Sequence, residues 1–264
     1  MNLLIMANNN SKTAVPDIPG VPNAPSMATP GMDVPEDMKK KYEELKNKMD
    51  KFKRELLKKF DKYILGIALL PPEKGDKKEI RVFVLVDDSD SRDVKKFGLR
   101  DNLILIVDKI AKEIDSNIKP DVMLNSELVE NCYDGKYEIL NLISYSALIY
   151  DPFDMLAAIK VSEVHKAMVI KKFDKYIVSY VAAGSLFRGE KSHDIDVYIV
   201  VDDTDVKKMS RFELRDKLRS IIINMGFQAS DITGVKKSFH IQVYILTDFW
   251  ESVKDASPVI FTFL

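Results

Sequence analysis

Two short features of this sequence have the residue types to hold a charged ligand between them. Gly184 and Ser185 end an apolar, β-favouring run from Tyr176 to Ala183. Eight residues later Asp194 and Asp196 open a second apolar run, "DIDVYIVV". A glycine at such a place lets the backbone turn sharply and approach a ligand with no Cβ in the way. Ser185 adds a hydroxyl, and "SLFRG" is placed to start a short helix whose free N–H groups face an anion. Strand periodicity puts both carboxylates on one face and Ile195 on the other, in a core. Two oxygen ligands on one strand suit Mg²⁺, which is commonly held by one or two carboxylates together with substrate phosphates. Asp-x-Asp alone is common and a Gly-Ser turn is commoner; the specific signal is the ordered set of strand, Gly-Ser, short gap, Asp-x-Asp and apolar strand. Asp202, Asp203 and Asp205 read as loop caps rather than ligands.

The elements that must position this set occur twice. "KKFDKYI" stands at 58–64 and again at 171–177, "IRVFVLVDDSD" (80–90) matches "IDVYIVVDDTD" (195–205), and "FGLRDNL" (97–103) matches "FELRDKL" (212–218). "DVMLNSELVEN" (121–131) lines up with "QVYILTDFWES" (242–252). One unit of helix, strand, turn, strand, helix and strand is therefore present in two copies, residues 38–152 and 153–264. Copy one continues through "SYSALIYDPFDML" into the helix of copy two. Copy two ends at "PVIFTFL", with nothing matching residues 144–152, so a natural chain longer than this one is expected. Trp250 and Phe249, at the start of the last helix, read as core. His165, on the helix joining the copies, reads as packing.

Residues 1–37 read as a disordered, proline-rich tail. Six of the eleven prolines lie between Pro16 and Pro35, and Pro16, Pro19, Pro22 and Pro25 recur every third residue, the period of polyproline II. Such a segment is a solvated linker or a docking segment for a protein partner with an aromatic groove. A helix follows from about Glu36, with Leu45, Met49, Phe52, Leu56 and Phe60 on one face. Residues 39–62 carry eleven Lys or Arg against five Asp or Glu. That is the wet side of a helix, or a surface for the phosphate backbone of RNA. Net charge is −1, so no global field draws the chain to nucleic acid or membrane. A single cysteine, Cys132, excludes an internal disulfide and fits a reducing, cytoplasmic setting. No run is long enough to span a bilayer.

Ala183, Gly184, Ser185, Asp194, Ile195, Asp196 and Val197 together resemble the nucleotidyltransferase pattern of the DNA polymerase beta superfamily, closest to tandem-domain versions found in archaea. "RGE" at 188–190 sits where relatives often carry an Arg-Gly pair. The resemblance covers both copies. It implies an α+β fold of two tandem nucleotidyltransferase-like domains, each a small mixed β-sheet flanked by helices. It also implies that Gly184, Ser185 and Arg188 bind the triphosphate and that Asp194 and Asp196 are the catalytic carboxylates holding Mg²⁺, with a two-metal site in view. A third acid on a later strand helps activate the incoming hydroxyl in that family.

Each copy departs from that pattern. Copy one has Pro71 and Pro72 opposite Gly184 and Ser185, Glu79 opposite Asp194, and Arg81 opposite Asp196, where its charge can stand in for a metal's beside Glu79. In copy two Gln242 stands where the third acid is expected, while copy one keeps Asp121 there. His240 is a candidate base but reads better as a partly buried histidine with a local hydrogen bond; His193 is a candidate phosphate contact. Two expectations of different class follow. One is a Mg²⁺-dependent protein that binds a nucleoside triphosphate in the second domain and transfers the monophosphate to a hydroxyl. The other is a catalytically impaired scaffold that docks RNA, a ribosome or a protein.

Overall fold

A computed structural model describes residues 5–8, 35–73, 78–91, 96–184, 187, 194–206 and 208–258. Among these the chain is mixed α+β, with seven α-helices and two four-stranded sheets. It divides into two compact units. One comprises Ile18–Glu130 and Asn141–Ala157; the other comprises Met1–Asp17, Asn131–Leu140 and Ala158–Leu264. The boundary therefore differs from a single cut after residue 152, because Asn131–Leu140 clusters with the second repeat.

In the first unit, α1 (Glu36–Phe60) leads to β2 (Ile64–Leu69), β3 (Ile80–Val86), α2 (Lys96–Ile114) and β4 (Ile118–Leu124). After α3 (Asn125–Tyr133) and α4 (Glu138–Ser144), β5 (Ala147–Tyr150) returns to the sheet, whose order is β4-β3-β2-β5. β3 and β4 are parallel, with α2 as the crossover that parallel pairing requires. The apolar stripe of α1 behaves as its spacing predicts: Met49, Phe52 and Leu56 are buried against Ile67, Val82, Val84 and Val107. Its lysines are partly answered by acids, as in Lys48–Asp115 at 2.7 Å.

The second unit repeats the plan. α5 (Met155–Phe173) leads to β6 (Ile177–Ala183), β7 (Asp194–Val201), α6 (Arg211–Thr233), β8 (Ser238–Ile245) and α7 (Leu246–Lys254). Its sheet is ordered β1-β6-β7-β8, where β1 is Ile5–Asn8. β6 and β7 are antiparallel and β7 and β8 parallel. α6 opens on a capping box, with Ser210 Oγ accepting from the Glu213 N–H at 3.2 Å, and closes on Gly234 at φ +69°. Even irregularities recur. The antiparallel pair is bulged at Ile64/Gly66 in one unit and at Ile177/Ser179 in the other.

Two expectations change. Ile5–Asn8 lies within the segment read as disordered but forms β1, because a short segment led by Ile5, Met6 and Ala7 can satisfy its main chain along the edge of β6; residues 9–34 lie outside the described residues. Trp250 was expected in a core and is 55% exposed. No residue of α7 is buried, although Leu246, Phe249, Trp250 and Val253 keep helical apolar spacing. Phe249 instead sits edge-on between Tyr244 and Trp250, with both centroid distances 6.1 Å.

Candidate functional site

The alternation of β7 fixes the site. Ile195, Val197 and Ile199 are fully buried on one face, so Asp194 and Asp196 share the opposite face at the head of the strand. The antiparallel register places Ala183 beside Asp196, and the next residue is Gly184. Its φ of +118° is a conformation that side-chain-bearing residues rarely adopt, and a Cβ there would lie 3.0 Å from Asp196 Oδ2. The turn continues with the Phe187 N–H donating to the Gly184 carbonyl at 3.2 Å. The structure thus brings Gly184, Asp194 and Asp196 together. Ser185, Arg188 and His193 lie outside the described residues.

Parallel pairing with β8 supplies two further side chains. Asp194 stands opposite Ser238 and Asp196 opposite His240. Ser238 Oγ donates to Asp194 Oδ1, and His240 Nδ1 lies 3.0 Å from Asp196 Oδ1. An ionised carboxylate only accepts, so Nδ1 carries the proton and donates, which leaves Nε2 of the neutral ring as an acceptor. His240 was expected to be partly buried with a local hydrogen bond. The hydrogen bond is present, but its partner is Asp196 on the neighbouring strand, and the imidazole is 58% exposed. Ser238 is a site residue beyond those expected from the sequence. Its signal was available: Phe239, Ile241 and Val243 alternate in step with Ile195, Val197 and Ile199, and parallel pairing of the two runs brings the residues between them side by side.

Gln242 stands opposite Tyr198 and accepts a hydrogen bond from Tyr244 Oη through Oε1 at 2.9 Å. Asp121 pairs with Phe83, the position equivalent to Tyr198, in the first unit. In that unit Leu70 donates its N–H to the Arg81 carbonyl, so Leu70 matches Ala183 and Pro71 matches Gly184. The Arg81 guanidinium pairs with Glu73 at 2.9 Å and lies 3.9 Å from Asp121. Its acid partners are these two rather than the expected Glu79.

Asp203 accepts from Thr247 Oγ1 at 3.0 Å at the start of α7, and Asp202 accepts from Thr204. In the first unit Asp88 accepts from the N–H and hydroxyl of Ser126 at the start of α3. Asp202 caps its loop, as expected, whereas Asp203 holds a threonine hydroxyl and Asp88 takes both groups of Ser126.

The donor set at Asp194 and Asp196 fits a hard divalent cation: two carboxylates on one face, with Gly184 close beside Asp196. Among the described residues no group of three or more His, Cys, Asp or Glu is gathered for metal binding. Such a cation would therefore complete its shell with water or ligand oxygens. No helix of the described residues is long and apolar enough to cross a membrane. No protein-family model matches the sequence, and no curated protein matches it significantly.

Proposed function

We propose that the second unit is a nucleotidyltransferase-type site that binds a nucleoside triphosphate with Mg²⁺. Gly184, Ser185 and Arg188 would take the phosphates, and Asp194 and Asp196 the metal. The observation that carries this reading is the close approach of Gly184 to Asp196 Oδ2 with Asp194 on the same face. A backbone turn that residues with side chains rarely take, held against paired carboxylates, supports a phosphate contact there. The metal's contribution is to neutralise triphosphate charge. The protein's contribution is to hold its ligands still: Ser238 fixes Asp194, and His240 Nδ1–H fixes Asp196. Gln242 cannot take a proton from an incoming hydroxyl. Of the described residues beside Asp196, His240 Nε2 is the group that can, so transfer of a nucleoside monophosphate to a hydroxyl would depend on that ring.

A second reading is favoured by one observation, the replacement of the third acid by Gln242 together with the Pro71–Arg81 head of the first unit. Here the protein keeps the fold as a scaffold and docks RNA, a ribosome or a protein through the basic helix at 39–62 and the proline-rich tail. Titration calorimetry of MgATP and MgGTP into the wild type and into Asp194→Asn/Asp196→Asn decides between nucleotide binder and scaffold. Magnesium-dependent binding that is lost in the variant supports the first reading. Its absence from a folded wild type sinks it. Label transfer from an α-labelled nucleoside triphosphate then separates an enzyme from a binder.

A further inference from the structure

The two sheets are completed at the same edge by strands of different origin. In the first unit Leu69 pairs with Val82 on one side and Ala147 of β5 on the other; Ala68 pairs with Phe83 and Leu148. In the second unit Ala182 pairs with Val197 and Ile5, and Val181 pairs with Tyr198 and Met6. Ile5 and Met6 therefore stand where Ala147 and Leu148 stand, also antiparallel. β5 is held in place by its neighbours in sequence, since Tyr150 is followed within a few residues by α5 at Met155. β1 has no such constraint. Residues 9–35 separate it from α1, and a chain of that length reaches roughly 90 Å at about 3.3 Å per residue. That is several times the radius of gyration of about 13 Å expected for a 100-residue domain.

The edge that β1 meets is built to receive a strand. With β1 in place, Tyr180 and Ala182 are fully buried and Val181 and Ala183 nearly so, so β6 is an interior strand whose second row of main-chain groups is met by β1 alone. Without β1 that row becomes an open sheet edge. Exposed edges of this kind take up extended segments through main-chain hydrogen bonds, with alternate side chains setting the register.

We propose that the β6 edge is a strand-binding site and that residues 5–8 occupy it as a tethered ligand. The same segment from a second copy of this chain can then take its place. The register seats Ile5 beside Ala182, two residues before Gly184, so occupancy of the edge also steadies the strand that ends in the Gly184 turn.

The test introduces a protease site between Pro25 and Pro30 of the full chain and cleaves it after folding. A fluorescent peptide of residues 1–12 is then added in excess. The expected result is saturable uptake of the peptide with release of the severed fragment. Hydrogen-exchange protection at Ser179–Ala182 is retained, and the peptide carrying Met6→Pro is not taken up. Absence of uptake by the cut, folded protein overturns the proposal, as does equal uptake of the Met6→Pro peptide. The full chain carrying Met6→Pro gives an independent arm. Loss of exchange protection confined to β6 supports the proposal, and unchanged protection overturns it. Neither readout involves a nucleotide, so the result stands apart from the fate of the nucleotide-binding reading.

Discussion

α1 and α5 are the same helix in two repeats, and their buried faces differ in kind. The 58–64 and 171–177 identity fixes their alignment. Met49 and Phe52 of α1 then correspond to Ser162 and His165 of α5, all four buried. Where α1 seats a phenyl ring, α5 seats an imidazole whose Nε2 lies 3.1 Å from the Ile222 carbonyl and whose Nδ1 lies 2.8 Å from Tyr180 Oη. The neutral ring satisfies both when Nε2–H donates to the carbonyl and Nδ1 accepts from the tyrosine. One residue along, Asp50–Lys53 is a half-exposed pair, while its counterpart Glu163–Lys166 is buried at 2.6 Å, with the ammonium 5.0 Å from the centre of the Tyr137 ring. The same contrast runs through the sheets, where Arg81 with Glu73 and Asp121 answers Asp196 with His240. In the first repeat the corresponding helix face is apolar, and Arg81 is answered by acids. The second keeps polar groups inside and acids at the head of its strand, at a cost in stability that points to use.

The sharpest way to break this contrast is at the strand heads. Asp194→Asn/Asp196→Asn should weaken magnesium-dependent nucleotide binding by about 3 kcal/mol or more, roughly a hundredfold, since two charge-assisted contacts are lost. Arg81→Asp in the first repeat should create none, because Pro71 offers no N–H to a phosphate. Calorimetry reads both.

The buried faces should differ in pH dependence. Burial pushes His165 down from 6.5 to about 4. Its folded value lies below its unfolded one, so the stability this implies is fully present above pH 6.5 and is lost as pH falls through 4. The loss comes to about 3 kcal/mol for a shift of this size. Denaturant melts between pH 7 and pH 4 should show it, and His165→Phe, which installs the first repeat's residue, should flatten that profile. A slope unchanged by the substitution would place the titration elsewhere.

Smaller effects test the shared skeleton. A Cβ at Gly66 would meet Leu156 Cδ1 at 2.4 Å, so Gly66→Ala should cost roughly 1–3 kcal/mol by overpacking. Ser179 occupies the matching bulge, and Ser179→Ala should be milder; equal losses in thermal melts would show that the two bulges are packed alike. Smaller again, Ser126→Ala should cost about 1 kcal/mol, because it takes the hydroxyl from Asp88 while the residue 126 N–H still donates. Thr247→Ala, which removes only a hydroxyl from Asp203, should cost no more.

Much of the skeleton was legible because repeats and alternation are properties of sequence. The internal match located both units, and the pairing of Leu70 with Arg81 and of Ala183 with Asp196 follows the alignment residue for residue. The face shared by Asp194 and Asp196 followed from period two. His240 as the partner of Asp196 was not reached, because register between strands separated by a 23-residue helix is set by packing rather than by local pattern. Trp250 was misplaced for a related reason. Its spacing marks an apolar stripe, but spacing does not say whether anything covers it. β1 carried the weakest signal, a few apolar residues whose partner lies more than a hundred and fifty positions away.

That separation bears on how the chain is made. β1 is made before β6, which follows only after all of the first repeat. At about 5–20 residues per second the interval is of the order of ten to thirty seconds. The first repeat can close its own sheet in that time with β5, which is close at hand. Residues 5–8 meanwhile have no native edge to join, and loop closure over so long a span makes their docking among the last contacts to form. During synthesis residues 5–8 therefore wait unpaired beside a repeat that can already fold, and the second sheet is completed only when β6 arrives.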